Sequence, residues 1–197
     1  MSGLSAKQVD TLMQPIRGTR VATRTQGGKT LSYLEAYDVR AHLIRIFGFG
    51  NFDAEVLDYD LAFVRDYQNA DGRDMQEIAY KARMQLTIRS QQGVAIARYT
   101  ECAVGSASGG TGFGDLHDNA LKSAVSDALK RCAINLGSQF GLGLYDQGSR
   151  AEVVRALVDD PRGEQPVELT EEQRATLITS LGASEVTAEE GVAEEPA

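Results

Sequence analysis

Tyr80-Lys81-Ala82-Arg83-Met84-Gln85-Leu86-Thr87-Ile88-Arg89 decides how this 197-residue chain folds. Tyr80, Ala82, Met84, Leu86 and Ile88 alternate with Lys81, Arg83, Gln85, Thr87 and Arg89. A period of two belongs to a strand with one buried face and one wet face, because successive side chains leave a strand on opposite sides. Upstream, Leu57, Tyr59, Leu61 and Phe63 alternate with Asp58, Asp60 and Ala62, and a polar loop from Asp66 to Asp74 separates the two runs. Downstream, Gln91-Gln92-Gly93 reads as a turn and Val94 to Ala103 as a third strand. Three successive strands joined by short connections predict an antiparallel meander.

Helical signals flank the meander. Ser5 and Gln8 have the spacing of a capping box, Val9, Leu12 and Met13 follow at helical intervals, and Pro15 ends the run. Gly18 to Thr30 is polar and basic and reads as a loop or a short edge strand. Ser32 and Glu35 form a second capping-box pattern. With Ala36, Val39, Leu43 and Phe47 on one stripe and Gly48 beyond, it predicts a helix from about Tyr33 to Phe47. Gly105 to Gly114 reads as a mobile loop. Asp115 then caps a long helix with Ala120, Leu121, Ala124, Val125, Ala128, Leu129, Cys132 and Ala133 on its apolar stripe. Gly137 to Gly143 breaks that helix, and Ala151 to Val158 predicts a short helical piece that closes the domain. The fold class is α+β, a meander packed against helices.

Charge divides the chain. Asp159–Ala197 carries 11 acidic and 2 basic side chains, net −9, which leaves Met1–Val158 at net +1; within it, Met1–Phe52 is net +4. The expected organisation is therefore one folded domain over 1–158 and an acidic tail over 159–197. That tail holds too little apolar sequence to fold alone. Within the tail, Pro161 to Pro166 reads as a linker, and Thr170 and Gln173 form a third capping box ahead of Leu177, Ile178 and Leu181. No apolar run approaches the roughly 18 residues of a membrane helix, and Met1 to Asp10 has no signal-peptide character. Two cysteines, Cys102 and Cys132, without a Cys-x-x-Cys pattern argue against a disulfide framework or a zinc site. Both are expected to be inert core thiols in a reducing cytoplasm.

Candidate chemistry is sparse. Only His42 and His117 are available as imidazoles, and both read as structural. No nucleophile–base set, paired carboxylates or metal motif appears, so neither an enzyme nor a cofactor is expected. Lys130-Arg131 on the long helix can pair with adjacent phosphates, and the planar Arg fork suits phosphate oxygens. The plainer reading is a solvated helix face. Lys81, Arg83 and Arg89 give the middle strand a basic face that can join such a helix in an electrostatic groove, or remain an ordinary wet sheet face. Tyr33, Tyr37 and Phe52 are stacking candidates, although aromatics at helical spacing more often serve a core. Gly27-Gly28-Lys29-Thr30 looks like the end of a phosphate-binding loop opening a helix. The required earlier glycine is Thr23, so nucleotide hydrolysis by Lys29 and Thr30 is a rival of low standing.

Two motifs carry a family resemblance. Tyr33-Leu34-Glu35 with Ile46-Phe47-Gly48-Phe49-Gly50-Asn51-Phe52 is similar to the Tyr-Ile-Glu-Gly start and Phe-Gly-Tyr/Phe-x-Gly/Asn-Trp close of the Rad-fifty-two (Rad52/Rad22) family of single-strand annealing proteins. Asn119-Ala120-Leu121-Lys122-Ser123-Ala124-Val125-Ser126-Asp127-Ala128-Leu129-Lys130-Arg131 resembles the family helix. Leu136-Gly137, Phe140-Gly141 and Leu144-Tyr145-Asp146 follow in the family order, so the likeness spans roughly Gln14 to Asp146.

The resemblance implies a curved antiparallel sheet on helices, protomers assembled in a homo-oligomeric ring, and single-stranded DNA held by its backbone in a basic groove. Complementary strands anneal there without ATP, in recombination and double-strand break repair. It assigns Arg24, Lys130 and Arg131 to DNA binding; the basic sheet residues Lys81 and Arg83 are expected to aid them by compensating for a family cation that is missing here. The chain departs from the family at Ile134, where members can carry another cation, at Phe52 in place of Trp, and at Ser126 in place of Thr. The family's second, outer DNA site has no clear match. The acidic tail is expected to compete with DNA, or to engage a single-strand-binding protein or a recombinase. A protein–protein scaffold with incidental DNA contact is the alternative. A chain this short fits a bacterial or phage version acting in the cytoplasm.

Overall fold

The computed structural model describes residues 3–110, 113–157 and 160–163, all within a unit spanning Met1–Gly163. Helix α1 (Ala6–Met13) starts where the sequence places it. Ser5 Oγ accepts from the Gln8 amide and Gln8 Oε1 accepts from the Ser5 amide, a reciprocal capping box. A 3-10 turn, Gly18–Arg20, leads into strand β1 (Val21–Gln26), which pairs antiparallel with β2 (Lys29–Leu34). Gly27 and Gly28 have φ of 58° and 76°. Both central residues of a type I′ turn need positive φ, so this pair closes a tight hairpin whose twist matches its strands.

Of the two readings of Gly18 to Thr30, loop or short edge strand, the strand holds over Val21–Gln26. Gly27-Gly28-Lys29-Thr30 is a hairpin turn running into β2 instead of a phosphate loop opening a helix. The predicted helix at Tyr33 starts later, as α2 (Ala36–Phe47), with Glu35 at the N-cap position and no side-chain cap bond. Ser32 cannot cap it, because Ser32 pairs with Thr23 within the hairpin.

Strands β3 (Phe52–Gln68), β4 (Asp74–Arg89) and β5 (Ala95–Gly109) form a separate sheet in the order β3-β4-β5. Ala82, Met84, Leu86 and Ile88 face α3 (Phe113–Ile134) and are at most 3% exposed, as the alternation predicts. The β5 strand runs six residues beyond Ala103, through the first half of the stretch expected to be a mobile loop; Thr111 and Gly112 lie outside the described residues. Packing explains the extension. A Cβ on Gly105 would stand 2.2 Å from the Ala124 amide nitrogen and 2.6 Å from the Ala120 carbonyl oxygen. Strand and helix meet backbone to backbone, and only Gly on one side with Ala120, Ala124 and Ala128 on the other permits that approach. Asp115, expected as the cap of this helix, instead lies in its first turn.

The β3 strand departs most from expectation. Register shifts between Val56 and Asp58 and between Leu61 and Phe63 insert an extra residue each time and reverse the phase of the side chains. Val56, Tyr59, Leu61 and Val64 therefore oppose the inward residues Met84, Ala82, Tyr80 and Ile78, while Phe63 turns to the other face beside Ala79. The long helix covers β4 and β5 and scarcely reaches β3. These four residues are 39, 57, 48 and 45% exposed, so the predicted buried face stays open on this strand.

Beyond α3, 3-10 turns at Ser138–Phe140 and Leu142–Tyr145 return the chain toward the hairpin. Phe140 and Leu144 join Leu34, Leu43, Phe47, Leu129 and Cys132 in the main core. Residues 151–157 are not helical; a stretch this short cannot sustain a helix without packing, and the Val153 amide donates instead to Ser138 Oγ at 3.1 Å. Val158 and the capping box at Thr170 lie outside the described residues. Cys132 is buried, its thiol pushed up chiefly by burial, whereas Cys102 is exposed, contrary to the expectation of two core thiols. No helix among the described residues is long and apolar enough to cross a membrane.

Candidate nucleic-acid interface

A cleft of about 710 Å³ opens between the β1–β2 hairpin, the C-terminal half of α3, the edge of β5 and the 3-10 turns. Each wall follows from local sequence. The pairing that sets Arg24 opposite Leu31 and Ala22 opposite Tyr33 places all four on one face of the hairpin, and Arg24, Leu31 and Tyr33 line the cleft. The apolar stripe of α3 is spent on the sheet, so Lys130 and Arg131 emerge on the cleft side. Ile134 gives the wall an apolar patch.

Tyr33 organises the cations. The Arg24 guanidinium lies 5.5 Å from its ring centroid and Lys130 Nζ lies 5.8 Å away, so cations from two elements meet one aromatic ring. The Tyr33 hydroxyl donates to Glu35 Oε1 at 3.0 Å, and that bond, ahead of burial, raises its pKa above the ordinary phenol value. Lys130 is partly neutralised by Asp127, 2.6 Å away on the preceding turn. Arg24, Lys29 and Arg131 make no ion pair among the described residues. A concave surface with cations lacking acidic partners is a ready site for phosphate oxygens.

The structure thus brings Arg24, Lys130 and Arg131 together. It does not bring Lys81 and Arg83 to them. Both lie on the sheet face that points away from α3, and each opposes an acid on β3: Lys81 Nζ is 3.3 Å from Asp60, and Arg83 donates to Asp58 at 2.5 Å. Arg89 pairs with Asp53 in the same way. Sequence reasoning missed Lys29 as a cleft residue and saw Tyr33 only as a possible stacking surface. The signal for Lys29 is the Gly27-Gly28 pair between β-branched Thr25 and Thr30, a hairpin pattern. Of the other stacking candidates, Tyr37 is exposed on α2 and Phe52 packs against the core.

The histidines are structural. His117 Nδ1 and Tyr80 Oη are hydrogen-bonded at 2.9 Å. His42 packs on Phe140, with ring centroids 5.2 Å apart, and Arg45 donates to its Nδ1 at 3.2 Å. Burial first, then the Arg20 and Arg45 charges, lower its pKa to about 4. Among the described residues no cluster of His, Cys, Asp and Glu is suited to hold a metal ion.

No curated protein matches the chain in sequence. The profile of the Rad52/22 family double-strand break repair proteins matches residues 5–162, which include the hairpin, the sheet, α3 and every residue of the cleft. The chain therefore belongs to the Rad52/22 family of double-strand break repair proteins.

Proposed function

We propose that this protein binds single-stranded DNA along the cleft between the hairpin and α3 and anneals complementary strands without ATP. Family membership supports a role in DNA repair and recombination. The observation that carries the finer reading is the set of cations Arg24, Lys29 and Arg131, without acidic partners among the described residues, gathered with Lys130 in one cleft. Backbone contacts of this kind hold any sequence and leave the bases outward, where a second strand can sample them. Annealing lowers a barrier between strands that pair spontaneously, so no hydrolysis is required. Lys81 and Arg83, engaged with Asp60 and Asp58, are not needed for this path.

Self-association belongs to the same proposal. The open strip Val56, Tyr59, Leu61 and Val64 and the free edge of β3 offer a second copy both apolar surface and unpaired backbone groups. Repeated head-to-tail contact of that kind closes a ring and joins the clefts of successive protomers. The acidic tail, net −9 over Asp159–Ala197, is assigned to competition with DNA or to a single-strand-binding or recombinase partner in the cytoplasm. A scaffold with incidental DNA contact is the second reading, favoured by the same exposed strip.

The test mixes two complementary dye-labelled oligonucleotides with purified protein, without nucleotide or metal. Faster duplex formation with the wild type, and not with folded Lys130→Ala/Arg131→Ala, supports annealing at the cleft. No acceleration by the folded wild type rejects it and leaves the scaffold reading.

A further inference from the structure

Arg20 is the last residue of the 3-10 turn before β1, and its side chain is only 10% exposed. Its Nε and Nη2 donate to Asp38 Oδ2 at 2.9 and 2.7 Å, and Nη1 donates to the Gln139 carbonyl and to Gln139 Oε1 at 2.9 and 3.1 Å. Gln139 Nε2 in turn donates to the carbonyls of Gln14 and Pro15, both at 2.8 Å. One guanidinium thus ties the foot of β1 to the first turn of α2 and to the 3-10 turn next to Phe140 and Gly141, which line the cleft. A rigid planar fork bonded bidentately in a buried place fixes direction as well as distance.

The hairpin's apolar anchors sit at its foot, Leu34 in the core and Val21 packed against it, while Thr23, Arg24, Thr25 and Lys29 are exposed. The angle at which the hairpin leaves the body sets the separation between Arg24 on one wall and Lys130 and Arg131 on the other.

We infer that Arg20, clamped by Asp38 and Gln139, is a positioning residue that sets the width of the cleft and thereby places Arg24 on the DNA backbone. The inference rests on the reading of the cleft as the DNA site. Arg20 itself touches no phosphate; it acts through the hairpin.

The test combines a DNA-free and a DNA-dependent measurement on the full chain. In Arg20→Met, and in the milder Asp38→Asn should Arg20→Met fail to fold, backbone amides of residues 21–34 exchange with deuterium at least tenfold faster, while those of α3 keep their protection. Binding of a dye-labelled oligothymidine weakens, by no more than in Arg24→Ala, and the log–log salt slope falls by about 0.7, one phosphate contact. Arg20→Met/Arg24→Ala binds like Arg24→Ala alone, because the latch acts through that side chain. Unchanged exchange in residues 21–34, exchange that rises throughout the chain including α3, or losses that add in the double variant each overturn the latch. An Arg24→Ala protein that binds like wild type overturns instead the reading of the cleft.

Discussion

The cleft and the β3–β4 ladder on the outer face of the sheet hold similar numbers of cations and use them in opposite ways. On the sheet face, Arg89 faces Asp53, Arg83 faces Asp58, Lys81 faces Asp60 and Arg65 faces Glu77, one acid for each base across the β3–β4 ladder. In the cleft, among the described residues, Arg24, Lys29 and Arg131 have no such partner, and only Lys130 shares its charge, with Asp127. A phosphate arriving on the sheet face must displace a carboxylate already in place. One arriving in the cleft displaces water and small ions, and the release of those ions favours binding. The number of basic residues therefore says little about where nucleic acid binds; the acids opposite them decide.

The largest effect that can break this comparison comes from Lys130→Ala/Arg131→Ala. Two lost phosphate contacts lower the salt slope for single strands by about 1.4, and affinity in about 50 mM salt by roughly 50- to 100-fold. Fluorescence anisotropy with labelled oligothymidine at several salt concentrations measures both. A folded variant with an unchanged slope would place the DNA elsewhere.

Next in size is an effect on the ground beneath the cleft. Folded His42 has a pKa of about 4, against an ordinary value of about 6.5 for the unfolded chain. Between those values the unfolded chain binds the proton and the folded chain does not. Stability is therefore complete above about pH 6.5 and declines as the pH falls toward 4. The expected loss at pH 4.5 relative to pH 7 is about 2 kcal/mol from this residue, roughly 4–8 °C in melting temperature. His42→Leu removes that part of the decline. An identical decline in the variant would assign acid sensitivity to other groups.

How much of this the sequence disclosed depends on what each element packs against. The long helix is legible because Ala120, Ala124, Ala128, Leu129, Cys132 and Ala133 recur at helical spacing and all are fully buried. The β4 strand is legible by strict alternation. The hairpin is not, because Val21–Gln26 and Lys29–Leu34 are mostly polar and contribute Leu34 to the buried core; turn geometry and mutual pairing make them strands, without hydrophobic periodicity. The second half of β5 looks like a loop because it is built of Gly, Ser and Ala, the residues that close contact with α3 demands. For the site, alternation groups Lys81 with Arg83 correctly but does not say which side of the sheet the helix occupies, nor that β3 supplies acids in register. Bulges in β3 set that register, and nothing in the local pattern marks them.

Asp127 sharpens the comparison from within the cleft, since among the described residues it is the acid there that does what the β3 acids do on the sheet. Its pair with Lys130 is one helical turn apart and partly exposed, so the pair contributes little to stability, about 0.3–0.5 kcal/mol. Asp127→Asn frees Lys130 for phosphate without altering shape. The expected outcome is single-strand affinity about three- to eightfold higher in low salt, with a steeper salt slope. Weaker binding by the folded variant would mean that Asp127 positions Lys130 instead of neutralising it.

The smallest expected effect tests the other half of the comparison. Lys81→Ala/Arg83→Ala removes two cations from the net charge, as Lys130→Ala/Arg131→Ala does, yet it takes them from positions already matched by Asp60 and Asp58. If the total charge of the protein governed binding, the two double variants would lose affinity alike. If local pairing governs it, the sheet variant binds within about twofold of wild type and keeps its salt slope, because no phosphate contact and none of its ion release is lost. Restoring balance with Lys81→Ala/Arg83→Ala/Asp58→Asn/Asp60→Asn then changes nothing further. A sheet variant that loses as much as the cleft variant would show that the ion pairs open for DNA, and the path of the strand would have to cross the ladder.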